Sequence, residues 1–409
     1  MATLAAPPAD TASDPLDVSR PELYARDEWH APFRRLRAES PVHFHEHSHF
    51  GPFWSVSTYK PIVHVEALPE IFSSQPTITL ADPIEGEPRM PMFIAMDRPK
   101  HTDQRRTVSP AFTPSEIQRM AVDVRRRTAD LLDELPIGTS FDWVDRVSIE
   151  LTTQMLAILF DFPWEERRKL TFWSDWAGDI ELVHNEATRQ ERLRHMFECA
   201  AYFRRLWDEK KGKPQTPDLI SMMIHSDAMS EMDDMEFLGN LILLIVGGND
   251  TTRNSMSAAV YGLDKHPDER RKLEENPGLI ANATQEIIRW QTPLAHMRRT
   301  ATQDTELEGQ KIRAGDKLAL WYISGNRDET MFPEPDRLIV DRENARRHLA
   351  FGYGIHRCVG ARLAELQISV LLEEMAKRRL RVHVEEEPVR VNACFVHGYR
   401  KLPVSIETY

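Results

Sequence analysis

The run Phe351-Gly352-Tyr353-Gly354-Ile355-His356-Arg357-Cys358-Val359-Gly360 sets a thiol, an imidazole and three glycines just ahead of a helix-forming stretch, 361–366. Glycine at 352, 354 and 360 lets the backbone turn tightly and approach a flat object. Cys358 falls at the N-terminal end of the coming helix, where free N–H groups and the dipole stabilise a thiolate. A thiolate held by backbone donors suits an axial ligand to haem iron, where it favours O–O cleavage. Cys199 and Cys394 lack such surroundings and read as structural thiols.

Three further groupings carry chemistry. Val246-Gly247-Gly248-Asn249-Asp250-Thr251-Thr252 puts an acid–alcohol pair inside an otherwise apolar helical pattern. Glycines and threonines are poor helix formers there. A Thr bonding back to the i−4 carbonyl, or a local bulge, opens such a helix to oxygen and water. Glu286 and Arg289 are spaced i,i+3, and His101 and Arg105 i,i+4, so each pair shares one helix face.

The cysteine stretch resembles the ligand loop of cytochrome P-450 enzymes, F-x-x-G-x-x-x-C-x-G, at every fixed position. The resemblance implies a haem b cofactor with Cys358 as the axial iron ligand, Phe351 packed beside the sulfur, and Gly247 and Gly360 bordering the haem. It implies that His101, Arg105, Arg299 and His356 bind the haem propionates, with Arg298 the alternative to Arg299. It implies a structural cluster of Glu286, Arg289 and Arg342, and catalytic roles for Thr251 at iron-bound dioxygen and Asp250 in proton delivery. O2 is then the co-substrate. Electrons come from NAD(P)H through a ferredoxin reductase and a [2Fe-2S] ferredoxin, steered by basic residues around the thiolate side (Arg105, Arg106, Arg346, Arg347, Arg357, Arg362).

The stretches 92–97, 296–302, 321–329 and 347–352 are similar to bacterial alkane and fatty-acid terminal hydroxylases. A terminal methyl C–H is harder to break than an internal one, so selectivity must come from positioning in a narrow apolar channel. Its expected walls are Met90, Phe93, Leu243, Val246, Leu294, Phe395 and Val396. Trp173, Trp176, Asp175 and Asp179 are candidates for an aromatic, acidic rim that disfavours a carboxylate, and Arg89 for the reverse. A terpene or steroid substrate, or a haem-thiolate sensor without catalysis, are the alternatives.

Positioning these groups requires a large helical body. The chain has 409 residues and net charge −12, from 52 basic and 64 acidic residues. That balance argues against a binder of nucleic acid or anionic membrane. Three cysteines argue against a disulfide framework. No signal peptide or long apolar run is legible, which predicts a soluble, cytoplasmic protein, expected to be monomeric.

Residues 1–18 read as a mobile tail, and 19–409 as one mainly α domain with a minor β component. A first helix is predicted over 21–38, then strands at 42–45 and 53–57. A Pro-rich irregular stretch spans 75–92. Helices fill 113–265, one of them starting at Thr113-Pro114 with Thr113 as cap, and a long central one covering 235–263. Another helix covers 279–290. Strands are predicted at 300–307 and, after a Glu308-Gly309 turn, at Ile312 and 318–323; a helix at 359–378 and terminal strands complete the reading.

Overall fold

The computed structural model describes residues 14–179 and 185–409. The first thirteen residues of the expected tail lie outside that range, as do residues 180–184. Residues 14–18, read from composition as part of the tail, are packed instead. Leu16 and Val18 are buried in a cluster with Phe33 and Trp321, because the apolar side chains alternate with Asp17, whose carboxylate accepts from the Ser19 N–H at 2.8 Å.

The axis of the fold is a helix from Asp234 to Lys265. Asp233 caps it, accepting from the N–H groups of Met235 and Glu236. It is buried on nearly every side and packs against helices Glu150–Phe160, Arg168–Gly178, Ile280–Gln291 and Ala361–Lys377. A helix apolar all round belongs in the interior, as its composition predicted.

A mixed five-stranded sheet flanks this body in the order Val42–His45, Phe53–Val56, Lys317–Leu320, Met297–Ala301, Phe72–Ser73. Phe53–Val56 and Lys317–Leu320 run parallel, and the other pairs antiparallel. A three-stranded sheet joins Phe141–Asp142, Pro403–Thr408 and Leu380–Val384.

Several boundaries differ from the sequence reading for local reasons. The helix expected over 21–38 is two, Pro21–Ala25 and His30–Glu39. Asp27 takes a left-handed φ of 59° between them, and its carboxylate accepts from the Trp29 indole. The strand at 300–307 is split into Met297–Ala301 and Thr305–Leu307; the latter pairs with Gln310–Ile312 across Glu308-Gly309, both at positive φ. The strand at 318–323 ends at Leu320 and gives way to a short helix, Tyr322–Gly325. Helix Pro114–Asp133 starts where expected, but the Thr113 hydroxyl donates to the Pro110 carbonyl rather than capping the helix. No helix among the described residues is long and apolar enough to cross a membrane.

Candidate active site

A cavity of ≈ 380 Å³ lies between the central helix and the segment around Cys358. Its wall includes Cys358, Phe351, Gly360, Gly247, Arg105, Arg299 and His356. The cysteine loop is shaped by its glycines: Gly352 and Gly354 take φ values of 67° and 66°. A Cβ at Gly354 would sit 2.3 Å from the Glu66 carbonyl oxygen. The Cys358 N–H donates to the Phe351 carbonyl at 2.8 Å, closing the loop over the phenyl ring. Burial pushes the Cys358 thiol up, while the Gly360 N–H and the Arg105 and Arg357 charges oppose that shift. The sulfur is open to the cavity, and that N–H and the two guanidinium charges are what this chain offers its anion.

Above the loop is a group of polar side chains with open valences. His101 and His356 sit with ring centroids 4.2 Å apart, and neither ring nitrogen of either residue has a protein partner although all four are buried. Burial and neighbouring arginines push His101 down to about 4 and His356 further, so both rings are neutral and each offers an N–H. Arg105 donates to the Arg357 carbonyl, and Arg299 to Glu66 at 3.1 Å. Arg298 points away, to Asp82 at 2.7 Å, and of the two arginines only Arg299 lines the cavity. Buried polar groups are normally hydrogen-bonded. A flat ligand with carboxylates here supplies the missing acceptors, so these residues fit a haem with its propionates.

Across the cavity, the central helix is unbroken through Val246–Thr252, with no bulge. The Thr251 hydroxyl donates to the Gly247 carbonyl at 3.0 Å, the i−4 bond the sequence allowed. The two glycines do different things. A Cβ at Gly248 would meet Leu156 at 2.7 Å, so this glycine admits the neighbouring helix; one at Gly247 meets nothing within 4 Å. Asp250 is buried and accepts from the Ser174 hydroxyl at 2.8 Å and the Asn249 amide at 3.2 Å, with Arg253 at 3.3 Å. Burial raises its pKa to about 6, against the pull of Arg253. Arg253 also pairs with Asp175 at 2.6 Å. Sequence reasoning missed Ser174 and Arg253; the i,i+3 spacing of Asp250 and Arg253 was the available signal.

The Glu286, Arg289 and Arg342 side chains meet as expected. Arg289 bonds Glu286 at 2.7 and 2.8 Å, and Arg342 Nε lies 3.0 Å from both carboxylate oxygens. The remaining guanidinium donors go to backbone carbonyls, including Asn326 at 2.7 Å. The Asn326 side chain accepts in turn from the Leu349 N–H, tying the cluster to the segment that enters the cysteine loop.

Of the expected pocket walls, Phe93, Leu243, Val246, Leu294 and Phe395 line the cavity, together with Met92 and Ile94. Met90 and Val396 do not. Val396 bridges to Leu294, and side chains alternate there, so only Phe395 turns inward. Met90 is held by the contact of its carbonyl with Gly239, where a Cβ would clash at 2.8 Å, and packs among helix side chains. The acidic, aromatic rim is also corrected: Trp173 is fully buried, Asp175 pairs with Arg253 and Asp179 with Arg400 at 2.6 Å. Arg89 is exposed and outside the lining. Besides Arg105 and Arg299, the lining holds Arg192, which no motif announced; its guanidinium donates to the Trp176 and Ala177 carbonyls at 3.0 Å.

A profile of the family described as Cytochrome P450 matches residues 66–393. The structure of CYP153D17 from Sphingomonas sp. PAMC 26605 is 75% identical and superposes with a TM-score of 0.93, covering 96% of this chain and 99% of that one. Linalool 8-monooxygenase of Pseudomonas putida is 33% identical over 95% of this chain and 98% of its own length. A methyl-branched lipid omega-hydroxylase of Mycobacterium bovis is 32% identical over 98% and 96%.

Proposed function

From the premise that this chain belongs to the cytochrome P450 family, and is therefore a haem monooxygenase fed by a redox partner, we propose that it hydroxylates the terminal carbon of medium-chain alkanes or fatty acids. The observation that carries this reading is the lining: Leu243, Val246, Leu294, Phe395, Met92 and Phe93 give an apolar approach to the sulfur of Cys358. An apolar chain gains about 0.8 kcal/mol per CH2 buried on such a surface, which supplies affinity without fixing an internal position. Arg192 gives the lining a cation on which a carboxylate chain end can rest. The likeness to a lipid omega-hydroxylase supports the same reading.

When bound, haem supplies dioxygen activation and the oxidising power for C–H cleavage. In this proposal Cys358 ligates the iron, with Phe351 and Gly360 beside the sulfur and Gly247 facing the cavity, while His101, Arg105, Arg299 and His356 hold the propionates. Thr251 presents its hydroxyl beside the dioxygen site. Asp250 behind it, with a pKa of about 6, would hold a proton and exchange it through the Ser174 hydroxyl, while the Arg253 charge steadies its anion. Glu286, Arg289 and Arg342 keep the segment before the loop in place.

Arg346, Arg347, Arg357 and Arg362 are exposed and, among the described residues, form no salt bridge, so they offer a positive surface to an acidic [2Fe-2S] ferredoxin, itself reduced from NAD(P)H by a ferredoxin reductase. A monomer in the cytoplasm, folded as one domain that includes the packed residues 14–18, completes the proposal.

The test is product analysis with octane and with dodecanoic acid, using a surrogate ferredoxin system. Terminal alcohols are expected. Mostly subterminal alcohols overturn the narrow approach, and turnover of linalool with neither straight chain favours the terpene reading that the other relative supports. A Cys358→Ser variant is expected to lose both the sulfur-ligated carbon monoxide spectrum and turnover.

A further inference from the structure

Far from the cavity, Asp14, His43 and His45 bring three ligand atoms within 4.8 Å of one another. The Asp14 Oδ2 atom faces His43 Nε2 at 3.1 Å and His45 Nδ1 at 2.6 Å. One carboxylate oxygen thus meets an inward nitrogen from each of two imidazoles. The histidines alternate along strand Val42–His45, so period two puts both rings on one face.

The outward nitrogens are also provided for. His43 Nδ1 lies 3.1 Å from the Ser40 hydroxyl, and His45 Nε2 lies 2.8 Å from the Ser55 hydroxyl. Ser55 is itself fixed by the Trp321 indole N–H at 2.8 Å. Without a metal the inward nitrogens donate to Asp14; with one, the serine oxygens take the outward N–H groups and the inward nitrogens turn lone pairs to the ion, which is how metal-binding imidazoles are oriented. Asp14 is prepared in the same way: its Oδ1 accepts from the Leu16 N–H at 2.9 Å, which turns Oδ2 toward the rings. Phe53 stacks on the His45 ring with centroids 4.6 Å apart.

We propose that Asp14, His43 and His45 form a binding site for a divalent transition-metal ion of the zinc class. Two imidazoles and one carboxylate match the ligand types of zinc, and select against magnesium and calcium, which take oxygen. Modest side-chain rotation brings all three atoms to ~2.0–2.2 Å from one ion. His45 is fully buried, whereas the His43 and Asp14 side chains are 23% and 22% exposed, so water reaches the fourth position from one side. Binding displaces the protons shared among the three groups into solvent. The ion staples the N-terminal segment at residue 14 onto the edge strand of the five-stranded sheet.

The test uses the full-length, haem-loaded protein without added histidines, stripped with EDTA, then equilibrated with zinc and freed of excess metal. Zinc and iron are counted by mass spectrometry. About one zinc per haem iron is expected, falling at least tenfold in Asp14→Asn and His43→Gln. A His47→Gln/His49→Gln double variant separates this site from the exposed histidines just beyond the strand and is expected to keep its zinc. Folding of each variant is checked by its carbon monoxide spectrum. Zinc at the same level in Asp14→Asn, or lost with His47 and His49, overturns the site, and so does a parent protein that retains none.

Discussion

Two buried polar clusters flank the approach to Cys358, and they are finished to different degrees. In the Glu286–Arg289–Arg342 group every charge meets an opposite charge, and the spare guanidinium donors end on carbonyls of Asn326, Pro335 and Arg337. In the His101–His356 group four buried ring nitrogens meet nothing in the protein. Burying a polar group without a partner costs about 1–3 kcal/mol, and here four such atoms are gathered on two touching rings, one of them on the cavity wall with Arg105 and Arg299. The closed cluster needs nothing more from outside the chain, whereas the open one leaves acceptors to be supplied, as the propionates of the proposed haem would.

The comparison breaks most visibly at Glu286. In Glu286→Ala two buried guanidinium groups lose their counter-charge, a change worth roughly 3–5 kcal/mol and a large part of ordinary domain stability. Little folded, haem-loaded protein is expected on expression. A variant that melts like the parent by circular dichroism removes the cluster from the list of structural necessities.

The open cluster should respond the opposite way. His356→Leu replaces a ring with no protein partner, so the apoprotein is expected to stay folded, while haem leaves about 10- to 100-fold faster for want of one charge-assisted hydrogen bond. Transfer of haem to excess apomyoglobin measures that rate. An unchanged rate shows that His356 does not hold the ligand.

Asp250 lies between the two cases, since its carboxylate has partners but remains costly to ionise. Its folded pKa of about 6 stands above the unfolded value near 3.9, so the folded chain binds the extra proton between those limits. Stability from this group is fully present below pH ~4 and falls as pH rises through about 6, by roughly 3 kcal/mol in all. Asp250→Asn cannot ionise, and Arg253 keeps Asp175 as partner. Relative to the parent, the variant is expected to gain stability steadily from pH 4 to pH 7 in urea titrations. Parallel curves at every pH place the proton elsewhere.

What the sequence made legible follows from where the constraint is local. The cysteine loop, the Thr251 back-bond and the Glu286–Arg289 pair are set by spacings of ten residues or fewer, and the structure brings each together. The central helix was legible because burial on all sides leaves an apolar run. What was not legible depends on elements meeting across the fold. The pairing of Asp175 with Arg253 needs two helices to cross, and as a bare sequence Asp175 looked like a free rim charge. Arg192 reaches the cavity only because its helix passes over it. Met90 and Val396 were misplaced by one side-chain direction each, a choice made by Gly239 and by the Leu294 bridge. The break at Asp27 was hidden because Leu23, Trp29, Phe33 and Leu36 keep helical spacing across it.

The smallest effect on stability, and the sharpest separation of fold from chemistry, is expected at Thr251. Its hydroxyl donates to the Gly247 carbonyl, and alanine loses that bond while gaining helix propensity over threonine. These changes oppose one another, so the melting curve of Thr251→Ala should stay within about 0.5 kcal/mol of the parent. If the hydroxyl belongs to the proton route, the same variant consumes oxygen and releases peroxide in place of alcohol, while Thr251→Ser, which keeps an oxygen at that position, recovers most of the coupling. Measuring peroxide and product per oxygen consumed distinguishes the outcomes. Full coupling in the alanine variant removes Thr251 from the route and leaves Asp250 to be tested alone.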